Sequence, residues 1–69
     1  MRVVSGTLYL YSGKEVNLPS ADAVETVSTF WSSIPRDDDI PTVLDLSSTQ
    51  KIILTRSSIV AIEQRVKPD

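Results

Sequence analysis

Three consecutive carboxylates, Asp37, Asp38 and Asp39, form the densest group of metal-ligating side chains in the sequence. Calcium loops alternate their carboxylates along the chain and set a glycine at the sharp turn. Here the carboxylates are adjacent and no glycine lies between Pro35 and Pro41. The pattern predicts a solvated acidic loop and no metal. General acid–base work draws most often on histidine, and covalent work on cysteine or an activated serine. The sequence has no histidine and no cysteine, and none of its serines lies in a nucleophile-elbow pattern. With two glycines in all, no glycine-rich loop is available to cradle a phosphate. No catalytic residue, cofactor or metal site is expected, and the chain reads as non-enzymatic.

Residues suited to recognition remain. Arg56 stands in the polar quartet Thr55-Arg56-Ser57-Ser58 between two apolar runs, with Lys51 at the head of the first. The quartet reads as a turn joining consecutive antiparallel strands first, and as a ligand contact second. Tyr9 and Tyr11 alternate along one segment, on the face opposite Leu8 and Leu10. Such tyrosines stack bases, cover a second packed surface or meet a protein partner. Trp31 has the same stacking chemistry but recurs at helical spacing with Val24 and Val27, which assigns it to the core.

The elements that must hold these residues follow from periodicity. Segment 2–18 alternates with period two around Ser12-Gly13-Lys14 and reads as a β-hairpin, with Gly13 supplying the positive φ of its turn. Gly6 inside its first strand predicts a bulge or a close packing contact. Pro19-Ser20 ends the hairpin, Ser20 or Asp22 caps a helix, and Val24, Val27, Trp31 and Ile34 recur along one face as far as Pro35. Serines and threonines make that helix weak on propensity, so packing must hold it. After the acidic loop come three strands, "TVLDLS", "QKIILT" and "IVAIEQRV". The expected fold is α+β: a small antiparallel sheet or partly closed barrel of order ββ-α-βββ, with one amphipathic helix packed on it.

A chain of 69 residues makes a single small domain, 1–69, whose core is marginal without help. Lacking cysteine, it has no disulfide to supply that help. The runs around Ile53, around Val60 and around Leu8 look apolar on both faces, and one helix covers only one face of a sheet. The second face therefore needs closure into a barrel or another copy of the chain. A net charge of −2 argues against nonspecific nucleic-acid binding. Ser5-Gly6-Thr7 breaks the N-terminal apolar character too early for a signal peptide, and no stretch nears the ~20 apolar residues of a membrane span. A cytoplasmic, soluble protein is expected.

"IILTRSSIVAI" resembles in part the strand–turn–strand element of the Sm-like RNA-binding family, and "LYLYSGKEV" resembles an earlier hairpin of that fold; together they cover less than half the chain. Ser57 stands where that family has glycine, the turn is one residue shorter, and the helix falls between the strands rather than before them. The resemblance implies an oligomeric binder of RNA or a small nucleotide that uses Arg56 and Lys51. The leading expectation comes from the residues themselves. It is a self-associating, homo-oligomeric module that binds through protein contacts at surfaces such as Tyr9 and Tyr11. No motif bears on its origin, but its size, acidity and lack of chemistry are those of the accessory proteins that phages or mobile elements encode.

Overall fold

In a computed structural model that describes residues 1–33 and 39–68, the first hairpin turns where the sequence places it. Gly13 has a φ of 90°, in the left-handed region that glycine enters without steric cost. Strand β1 (Arg2–Leu10) runs into this turn and β2 (Glu15–Leu18) returns from it, with Leu8 opposite Val16 and Gly6 opposite Leu18. Helix α1 (Ala21–Ser33) follows. Ser20 is its cap, its hydroxyl accepting from the Ala23 amide at 3.2 Å, which satisfies one of the first-turn donors that no helical carbonyl reaches. Strands β3 (Thr42–Asp45), β4 (Lys51–Leu54) and β5 (Ile59–Lys67) complete the order ββ-α-βββ. Ile34, the expected last residue of the helical stripe, lies outside the described residues, as do Pro35, Arg36, Asp37, Asp38 and Asp69.

The strands form two antiparallel sheets, β2-β1-β5 and β3-β4, and these do not close into a barrel. β4 and β5, consecutive in the chain, are not paired with each other. The quartet between them therefore does not make the expected hairpin. A tight hairpin loop needs residues at positive φ, and none in the quartet has one. Residues Arg56–Ser58 instead make a single 3-10 turn between the extended residues Thr55 and Ile59, and the chain crosses from one sheet to the other. β5 then lies along the full length of β1, from Arg2 opposite Lys67 to Leu10 opposite Ile59.

Two bulges set which side chains face inward. One falls at Val4 in β1 and one at Val60 in β5; each adds a residue and flips the alternation beyond it. Ile59 and Ile62, three positions apart, consequently both meet the core, and Val3 packs there too rather than beside Tyr9. Gly6 is the close contact and not the bulge: a Cβ there would run into the Glu63 backbone carbonyl and approach Val24 Cγ2 to 3.0 Å. Helix α1 buries Ala23, Val24, Val27 and Phe30, joined in one core by Leu8, Val16, Leu18, Leu44, Leu46, Leu54 and Ile59. Phe30 is the helix's core aromatic; Trp31 is half-buried at the margin.

The outer face of the three-stranded sheet is polar, which corrects the expectation of two apolar faces there. Ser5, Thr7 and Tyr9 stand opposite Arg65, Glu63 and Ala61, with Asn17 and Glu15 on the flanking strand. Thr7 is only 7% exposed, and its hydroxyl accepts from Arg65 Nη2 at 3.0 Å. No helix among the described residues is long and apolar enough to cross a membrane.

Candidate functional site

The quartet at 55–58 is a junction of four segments. The Tyr11 amide at the hairpin end donates to the Ser58 carbonyl at 2.9 Å. The Asp39 carboxylate accepts from the Ser57 hydroxyl at 2.7 Å and from the Ser57 amide at 3.3 Å. These two bonds, the hydroxyl first, hold the Asp39 carboxyl below its ordinary range. Ser58 ties the turn to itself, its hydroxyl donating to the Thr55 carbonyl at 2.6 Å.

Arg56 makes the link to the helix. Its Nε donates to the Trp31 carbonyl at 3.0 Å. That carbonyl belongs to the last helical turn, where no intrahelical donor remains. The helix C-terminus carries partial negative charge that a cation stabilises, and α1 has no basic residue of its own in that turn. Arg56 supplies it from 25 residues downstream.

Beside this junction a groove of about 390 Å³ is lined by Tyr11, Trp31, Arg56, Ser57, Ile59 and Val60. It brings together two of the four residues that the sequence singles out for contacts, Tyr11 and Arg56. Lys51 is not among them. It starts β4, on the order of 15 Å from Arg56 along nearly extended backbone, and pairs with Asp45 at 3.7 Å. Tyr9 lies on the polar face of the three-stranded sheet, where its hydroxyl donates to Glu63 Oε2 at 3.5 Å. Lost solvation and then the Glu63 carboxylate raise its phenol above the ordinary value. The groove is poorly suited to anions. Its guanidinium is directed at the helix terminus, and the Asp39 carboxylate sits on Ser57 at its rim.

A second surface is carried by the β3-β4 ribbon. Val43 and Ile53 face each other across it and remain 55% and 67% exposed, with Ile40 just before β3 at 64%. The inner face of the same ribbon packs Leu44, Leu54 and the half-buried Ile52 against the core. Ile53 is legible in the sequence, because Ile52-Ile53-Leu54 is apolar on both sides. Val43, next to Leu44 in Thr42-Val43-Leu44-Asp45, is likewise out of alternation, but the register is what shows that it faces Ile53.

Among the described residues no three Asp or Glu side chains gather as a metal site would require; Asp37 and Asp38 of the acidic loop lie outside them. Compared with family models, curated proteins and solved structures, the chain gives no match.

Proposed function

We propose that this chain is a non-enzymatic, self-associating module that acts through protein–protein contacts. The observation that supports it best is the exposed Val43–Ile53 pair on a ribbon that has no third strand among the described residues. Large apolar side chains clustered on one exposed face mark interaction surfaces more often than scattered ones do. Covering several hundred Å² of such surface is worth about 25 cal/mol per Å², which is the kind of help a 69-residue core needs. A cytoplasmic accessory protein of the phage or mobile-element kind fits the small size and acidity.

The alternative is an oligomeric binder of RNA or a small nucleotide using Arg56 and Lys51. It has less support, because the two cations lie apart and both already have partners. Light scattering at micromolar concentration tests the main reading, with an oligomer expected. Ile53→Lys should weaken association with a partner or with itself while leaving the helix signal in circular dichroism unchanged. A 7.6 kDa monomer that binds RNA with steep salt dependence would replace it by the alternative.

A further inference from the structure

We propose that a second copy of the chain adds across the free edge of β5, antiparallel and centred on Gln64, so that two sheets join into one of six strands. This gives the self-association proposed above a second surface, apart from the Val43–Ile53 face, and rests on that reading. β5 is nine residues long, pairs with β1 on one side and, among the described residues, has no strand on the other. Residues Glu63 to Lys67 are all exposed. An open edge of this length is a template for pairing.

The backbone is in phase for it. The Leu10 amide points to β2, donating to the Lys14 carbonyl, whereas the Tyr11 amide points to the β5 side, donating to the Ser58 carbonyl. Alternation along β1 then turns Ser5, Thr7 and Tyr9 toward β5, and their partners Arg65, Glu63 and Ala61 toward β1. Ile62, Gln64 and Val66 are left with amides and carbonyls directed outward.

Charge selects the register. About a two-fold axis, the residue at the centre of an antiparallel pair meets itself, and its neighbours meet in reverse order. Centring on Glu63 or Arg65 sets like charges face to face, and centring on Val66 sets Arg65 against Lys67. Centring on Ile62 pairs no opposite charges. Centring on Gln64 sets Glu63 of each copy against Arg65 of the other, twice, with no like pair. It also sets Ile62 against Val66 on the helix side, where Val66 is otherwise 48% exposed. The same register places the Val60 bulge of one copy opposite Pro68 of the other. Pairing thus ends at both limits where a bulge and a proline lacking an N–H end it anyway.

The test is sedimentation equilibrium of the whole chain and of its charge-reversed variants, each checked for folding by circular dichroism. Glu63→Arg and Arg65→Glu should each raise the dimer dissociation constant by roughly ten-fold or more, because opposite-charge cross-strand pairs become like pairs. An equimolar mixture of the two should dimerise again, since one chain then offers two cations and the other two anions. The double variant E63R/R65E should also dimerise. Gln64→Pro removes an outward donor without touching the bonds to β1, and should give a folded monomer. A wild-type oligomer that single reversals leave intact, or a mixture that stays monomeric, overturns the β5 edge while sparing self-association. A wild-type monomer at all concentrations overturns both.

Discussion

The two sheets solve the same problem in opposite ways. Both turn an apolar face to helix α1 and the shared core. On the far side the three-stranded sheet is finished with polar groups: Arg65 spans Glu63, Ser5 and Thr7, and Thr7 is buried beneath it. The ribbon's far side is left apolar at Val43 and Ile53 and, among the described residues, is tied by the exposed Lys51–Asp45 pair, a contact worth little in water. A two-stranded ribbon alone is at best marginal, so β3-β4 depends on its inner face for folding and has its outer face to spare for contacts. The first sheet has both faces finished and an open edge at β5, whereas the second has a whole face left to be covered.

The sharpest way to break this comparison is at the centre of the complete sheet. Gly6→Ala puts a methyl group against the Glu63 carbonyl and Val24, and overpacking of this kind costs about 1–3 kcal/mol. A Gly6→Ala chain with wild-type stability in urea would show that helix and sheet are less closely packed than described. Next comes the junction joining the two regions. Arg56→Ala removes a charged donor from the helix end, and we expect a loss of about 1–2 kcal/mol, with faster amide exchange in the last turn of α1. Arg56→Lys should recover part of it.

At the ribbon the expected stability change is smaller. Ile53→Lys should alter unfolding free energy by no more than about 0.5 kcal/mol, its effect falling on association; a large loss would mean the outer face is part of the core. The smallest effect belongs to Asp39. Its carboxyl is held below its ordinary value of 3.8, so its contribution is present above that pH and is lost as pH falls through the lowered pKa. Melting curves of wild type and Asp39→Asn should differ at neutral pH and converge in acid.

The order of elements was legible because each boundary carries its own local signal: Gly13 at the turn, Ser20 at the cap, period two in the strands. The pairing of β5 was not. A valine bulge leaves no mark in composition, and the one at Val60 reverses the parity from which the inner and outer faces of β5 are read. The polar face of the first sheet was hidden by that reversal, and with it the edge now proposed for pairing. Of the recognition residues, Arg56 and Tyr11 were visible as types. Their meeting beside Trp31 depends on the chain crossing between sheets, which no spacing within the quartet announces.

The alignment of Arg2 with Lys67 also changes what kind of object this chain is. Antiparallel neighbours lie about 4.5–5.5 Å apart at Cα, so the path from residue 2 to residue 67 is nearly a closed loop. Joining residue 67 to residue 2 by a short linker and opening the exposed turn at Ser48 should give a permuted chain with the same circular dichroism spectrum. If that permutant failed to fold, the covalent turn between β3 and β4 would be required for the ribbon to form. If it folds, the tip of the ribbon tolerates a break in the chain and becomes a natural place to insert a foreign segment.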